Sequence, residues 1–131
     1  MLRNKKRRNM IDYVYNIILL LLAILCNVFA QLSIKKLANA NPFSKGLHAK
    51  TLTVLAFNTY FWSAIILYFI AFLISIIIYR KFPLSVITPV FMSLTFVLIL
   101  IVSNIAFGES ITIKKILGLL FTIIGITVLL L

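Results

Sequence analysis

Residues 24–36 read ILCNVFAQLSIKK and lie in an uncharged, mainly apolar run that extends from 13 to 34. A helix of roughly 20 apolar residues crosses the hydrocarbon core of a bilayer. Two amides, Asn27 and Gln31, interrupt this run. Because residues four apart share one face of a helix, these amides form a stripe with Lys35. The stretch therefore predicts a transmembrane helix with one polar face.

Two interpretations of this stripe remain open. Amides inside a membrane commonly make hydrogen bonds between helices, which is the structural interpretation. In the functional interpretation, Asn27 and Gln31 line a cavity that binds polar groups of a substrate. Lys35 and Lys36 would then hold a phosphate of that substrate at the membrane interface.

The remaining sequence repeats this organisation, and 63% of all residues are hydrophobic. Further uncharged windows cover 51–79, 82–108 and 116–131. Backbone groups in hydrocarbon must satisfy their own hydrogen bonds, which favours helices. We predict an all-α integral membrane protein, a small multidrug resistance-like bundle in a single domain, 1–131. Its predicted parts are a basic cytoplasmic arm, 1–12, and four transmembrane helices over about 13–37, 53–79, 83–107 and 111–131.

The charge is strongly positive, with 13 Lys and Arg against 2 Asp and Glu. These basic residues lie outside the apolar runs, where they face lipid headgroups, so we expect no nucleic-acid partner. The dense arm predicts a cytoplasmic N-terminus. Basic residues are otherwise almost equally divided between the two sides, so insertion both ways, or a partner of opposite orientation, stays open. The first run is too long for a signal peptide, and we expect no cleavage.

The third predicted helix carries a proline with small polar neighbours. Pro89 removes a backbone donor and favours a bend. Thr88 and Ser93 lie close to it. The bend is either a static kink or a hinge beside a substrate cavity, with Thr88, Ser93 and the interfacial Arg80 as candidate substrate-binding residues.

The fourth predicted helix contains GLLFTIIG, residues 118–125. The spacing of seven puts Gly118 and Gly125 on one face, with Thr122 between them. Small residues let transmembrane helices approach closely. We predict that these three residues form a dimer interface.

Chemical motifs are missing from the sequence. The runs contain no Asp or Glu, which a proton-coupled exporter of cations normally needs inside the membrane. There is also no metal-ligand cluster, no nucleophile with a base and no phosphate-binding loop. We predict that the chain is not an enzyme and uses no cofactor or metal.

Three segments carry a family resemblance: ILCNVFAQLSIKK, KFPLSVITPVFMSLTFVL and FGESITIKKILGLLFTIIGITVLL. Together they resemble the small four-helix members of the drug/metabolite transporter superfamily. In the small multidrug resistance exporters, the first helix carries a glutamate that binds proton and drug. Asn27 stands at that position here, which departs from those exporters.

The pattern is more similar to the paired subunits that flip undecaprenyl-phosphate-linked aminoarabinose. Their Gly-Gln-x-x-x-Lys motif matches Ala30, Gln31 and Lys35, with Ala in place of Gly, and their Pro-x-x-Ser step matches loosely near Pro89. This resemblance implies a transporter subunit that moves a polyprenyl-phosphate-linked sugar across the bacterial inner membrane. It also implies a homodimer, or a heterodimer with a similar four-helix subunit. The alternatives are a multidrug exporter of the same fold and a non-transporting membrane partner of a glycosyltransferase.

Overall fold

The structure is a computed structural model that describes residues 2–40 and 49–130, with the side chains of 12–40 and 53–128. These residues are helical and include no strand. The helices are α1 (Leu2–Asn39), α2 (Ala49–Ala56), α3 (Thr59–Tyr79), α4 (Leu84–Phe107) and α5 (Ile113–Leu130). The basic side chains of the arm lie outside the described side chains.

The first helix is longer than predicted, because α1 begins at Leu2 rather than near residue 13. The arm contains neither proline nor glycine, so its good helix formers continue the helix. Within the described side chains, the part Asp12–Asn39 is long and apolar enough to cross a membrane.

The second predicted helix, over 53–79, is two helices in the structure. The break follows Phe57, where the side chain of Asn58 accepts a 2.8 Å hydrogen bond from the backbone N–H of Tyr60 and caps α3. The indole N–H of Trp62 donates to the carbonyl of Ala56 at 2.7 Å, which satisfies the end of α2. A local cap therefore ends one helix and begins the next inside a window without charges.

The core lies mainly between α1 and α3, with α4 on one side. Ala23 and Ala30 of α1 are fully buried, and Ala64 and Ala71 of α3 are nearly so. Each alanine pair is spaced by seven residues, which lets two membrane helices approach closely along one seam. Ile74, Ile78 and Ile87 fill the end of this seam near Phe82.

Within the described residues, three helices are long and apolar enough to span a membrane: Asp12–Asn39, Thr59–Tyr79 and Leu84–Phe107. The fourth long helix, α5, contacts chiefly α4. Large apolar side chains such as Phe69, Phe72 and Phe121 are exposed, which suits contact with lipid. The described helices are thus compatible with a multi-pass membrane protein, and the four-span arrangement stays a prediction.

Candidate functional site

A cleft of about 450 Å³ lies between α1 and α4. Its polar wall consists of amide and hydroxyl side chains: Asn27, Gln31, Tyr79, Thr88 and Thr95. Its apolar wall consists of Phe91, Met92, Phe96 and Ile99. Thr88 and Ile99 are eleven positions apart on α4, so the cleft extends about 16 Å, roughly half of the hydrocarbon thickness.

The two amides of α1 are bonded to each other. The Nε2 of Gln31 donates a 2.8 Å hydrogen bond to the Oδ1 of Asn27. This bond leaves the amino group of Asn27 and the carbonyl oxygen of Gln31 available, because each amide has two donor hydrogens and an acceptor oxygen. The pair therefore offers the cleft both donors and acceptors without a charge.

Thr88 differs from the other threonines of α4 and α5. The hydroxyls of Thr95, Thr122 and Thr127 each donate to the carbonyl four residues earlier, at 2.8–2.9 Å. The Oγ1 of Thr88 is buried and has no hydrogen-bond partner among the described residues. An unpaired buried hydroxyl is unfavourable, and a ligand in the cleft would satisfy it.

A second cleft of about 430 Å³ lies between α4 and α5. Ser93, Pro89 and Thr122 line it, together with Thr88. The hydroxyls of Ser93 and Thr122 already donate within their own helices, to Val90 and Gly118. Ser93 thus faces α5 rather than the amides of α1, and Thr88 alone of the predicted substrate-binding residues borders both clefts.

Lys35 lies beyond the first cleft, one turn after Gln31, and forms an ion pair with Glu109. Its Nζ also lies 5.3 Å from the centre of the Phe107 ring. The hydrogen bond and charge of Lys35 lower the pKa of Glu109, which desolvation opposes and the charge of Lys115 assists. Lys36 points elsewhere, with its Nζ 5.6 Å from the centre of the Tyr60 ring.

The opposite end of the cleft carries Arg80 and Lys81, which follow Tyr79. Lys81 donates a 2.9 Å hydrogen bond to the Oδ1 of the buried Asn16. Arg80 has no polar partner among the described side chains. Asn16 and Lys35 are nineteen residues apart on α1, so the two cationic ends are separated by about 28 Å.

The structure therefore divides the predicted substrate-binding residues into four places. Asn27, Gln31 and Thr88 line one cleft, and Ser93 lines the other. The lysines 35 and 36 lie at one end of the bundle and Arg80 at the opposite end. Pro89 lies inside α4 at the second cleft, so it is placed beside a cavity as the hinge interpretation requires.

The glycines of the predicted dimer face are open. A Cβ atom built on Gly118 or on Gly125 meets nothing within 4 Å. The space beside both residues is therefore not used for packing within the described part of the chain.

Some cleft residues were not predicted from the sequence. Met92, Thr95 and Ile99 follow Thr88 at steps of four, three and four, which places all four on one helical face. That spacing could have predicted from the sequence which face of α4 lines the cleft. Glu109 was not among the predicted site residues, because its contact with Lys35 joins positions 74 apart and has no local signal in the sequence.

The described residues therefore define an all-helical protein in which three helices are candidate membrane spans. No family model, curated protein or solved structure matches this chain.

Proposed function

We propose that the chain is a subunit of a transporter that moves a polyprenyl-phosphate-linked sugar across the bacterial inner membrane. The observation that carries this proposal is a cleft between α1 and α4 that has an uncharged polar wall and a cationic group beyond each end. The lipid tail stays in the bilayer, while the headgroup passes along the polar wall by alternating access.

The sugar is the part of the substrate that suits the middle of the cleft. Hydroxyl groups both donate and accept, as do the amides of Asn27 and Gln31 and the hydroxyl of Thr88. Phe91 and Phe96 provide apolar faces for the ring of the sugar or the first isoprene units. A neutral wall of this kind holds hydroxyls without attracting a cation.

The phosphate is the part that suits the ends. Lys35 and Arg80 supply charge-assisted donors near the two membrane interfaces. An anionic headgroup that leaves one cation reaches the other after crossing the cleft. The family resemblance predicts the same substrate class, and the density of basic residues in the arm supports a cytoplasmic N-terminus.

A second copy, or a similar four-helix subunit, completes the pathway. One chain leaves the cleft open and leaves α5 in contact chiefly with α4. The open face of Gly118 and Gly125 is the proposed contact, with Thr122 at its border with the second cleft, since glycines allow the closest approach of two helices.

Reconstitution tests the proposal. Purified protein in proteoliposomes should translocate a short-chain polyprenyl-phosphate hexose, and Gln31→Leu should abolish this while Ser33→Ala keeps it. Ser33 is a suitable control because its hydroxyl bonds to the carbonyl of Phe29 on α1 and does not line the cleft. Failure of the wild-type protein to move this lipid would favour the alternative function, a non-transporting membrane partner of a glycosyltransferase.

The alternative function, a multidrug exporter, is tested with a hydrophobic cation, because the aromatic wall of the cleft also suits such cations. Tetraphenylphosphonium should bind weakly and without proton release, since the uncharged runs of the sequence contain no Asp or Glu. Tight binding coupled to pH would replace the proposed substrate with a cationic drug.

A further inference from the structure

The ion pair between Lys35 and Glu109 lies where the proposed substrate would place its phosphate. Lys35 is the last residue of the amide stripe that begins at Asn27. Glu109 comes from the connection between α4 and α5, so the pair joins the end of α1 to a distant segment.

The backbone around Glu109 is fixed independently of this ion pair. Gly108 adopts a left-handed conformation, with φ of 65°, that ends α4. Its N–H donates to the carbonyl of Asn104 at 2.9 Å, and the Asn104 side chain donates to the carbonyl of Glu109 at 2.7 Å. The carboxylate is thus presented to Lys35 by a well-bonded turn.

We propose that Glu109 is a specificity-determining residue whose carboxylate occupies the phosphate position on Lys35 in the unloaded protein. This inference rests on the proposed function. It adds that the carboxylate of Glu109 competes with the phosphate of the substrate for Lys35. A carboxylate and a phosphate present similar anionic oxygens to an ammonium group with three donors. Only a ligand with an anionic group displaces Glu109 from Lys35, whereas neutral or cationic amphiphiles leave the ion pair closed.

The exposure of the pair makes this exchange feasible. The side chain of Lys35 is 44% exposed and that of Glu109 is 34% exposed. Exposed ion pairs contribute little to stability, because water and salt screen them. A phosphate anchored by its lipid tail therefore needs only a modest advantage to replace the carboxylate.

The displaced carboxylate keeps a cation nearby. Lys115 already attracts the charge of Glu109, and its Nζ donates a 3.0 Å hydrogen bond to the carbonyl of Ser110 in the same turn. In this proposal the released carboxylate stays in the field of Lys115 on α5. Loading of the substrate would loosen the link between α1 and the connection of α4 to α5.

The test measures lipid binding in nanodiscs of neutral phospholipid. The probes are undecaprenyl phosphate, undecaprenol without the phosphate, and inorganic phosphate. Glu109→Gln should bind undecaprenyl phosphate about fivefold more tightly than wild type, the ratio expected for loss of one exposed ion pair. Lys35→Gln should bind it at least about tenfold more weakly, and the double variant should resemble Lys35→Gln.

Two controls separate charge from disturbance of the fold. Glu109→Asp keeps the competing carboxylate and should show no gain in affinity. Lys114→Gln removes a lysine at the same end that has no polar partner among the described side chains, and should stay within about twofold of wild type. Undecaprenol should bind all variants equally.

Each other result has a defined meaning. If wild type binds undecaprenyl phosphate through Lys35 but Glu109→Gln brings no gain, competition by Glu109 is overturned and the proposed function stands. If inorganic phosphate shows the same changes as the lipid, the site is a general anion site and the lipid-specific proposal is overturned. If no variant binds undecaprenyl phosphate, this inference and the phosphate part of the proposed function both fail.

Discussion

The Nε2 of Gln31 donates a 2.8 Å hydrogen bond to the Oδ1 of Asn27, one turn earlier on α1, and both amides line the same cleft. Replacing Gln31 with Leu removes a cleft acceptor and also leaves Asn27 unpaired. We expect substrate affinity to fall about tenfold, the effect of one or two lost hydrogen bonds. Lipid binding by native mass spectrometry measures this, with Ser33→Ala as the matched variant outside the cleft. Equal binding by both variants would exclude the amides from the site.

Thr88 gives a prediction in which stability and binding change in opposite directions. Thr88→Val keeps the side-chain shape and removes a buried hydroxyl that has no partner in the described residues. The melting temperature should stay equal or rise, by the equivalent of up to about 1 kcal/mol, because an unfavourable polar group is lost. Substrate affinity should fall about fivefold, while Thr88→Ser retains it. A destabilised Thr88→Val protein would show that the hydroxyl has a structural partner.

The limits of α4 and α5 were predictable because charges lie near their ends, whereas the start of α1 at Leu2 was not. The predicted ranges 83–107 and 111–131 lie close to Leu84–Phe107 and Ile113–Leu130. The break at Asn58 was not predicted, since hydropathy measures the partition of a segment into lipid and not a local hydrogen bond to Tyr60.

The site was predictable only on one helix at a time. The spacing of Asn27, Gln31 and Lys35 defines a face of α1, and that face does line or adjoin the cleft. Which residues of α4 oppose it depends on helix packing. Thr88 and Ser93 were therefore grouped, although Ser93 lines only the second cleft and Thr88 alone also reaches the amides of α1. The pairing of Lys35 with Glu109 depends on the same packing.

Acid should open the pair between Lys35 and Glu109. The pKa of Glu109 is lower in the folded protein than its unfolded value of about 4.5. The ion pair therefore stabilises the fold at pH values above 4.5. This contribution is lost as the pH falls through the lowered pKa of the folded protein. Carboxyl ¹³C NMR of Glu109 should report a midpoint below 4.5, and Lys35→Gln should raise it. An unchanged midpoint in Lys35→Gln would mean that Lys35 is not the group that lowers it.

Lys81 should stabilise the other end of the bundle through Asn16. Lys81→Met leaves the Oδ1 of a buried side chain without its 2.9 Å donor, so the free energy of unfolding should fall by about 1–3 kcal/mol. Arg80→Met is the matched control, because Arg80 has no polar partner in the described part of the chain and should cost much less. The double variant Asn16→Leu with Lys81→Met should recover part of the loss, since neither polar group then remains buried alone. Additive losses in this cycle would show that the two side chains act independently.

Gly118 and Gly125 should determine association of the chain without affecting its own fold. A Cβ at either glycine meets nothing within 4 Å, so Gly118→Leu with Gly125→Leu should leave the helical content and melting of the monomer unchanged. The same bulk should weaken dimerisation at least about tenfold by separating the facing helices. Leu120→Trp adds bulk about half a turn away from this face and should leave the dimer intact.

Dimer fraction measured by native mass spectrometry over a dilution series distinguishes these outcomes. Equal dimer fractions for the glycine variant and wild type would place the contact on another helix, because no close approach at α5 tolerates two added leucines.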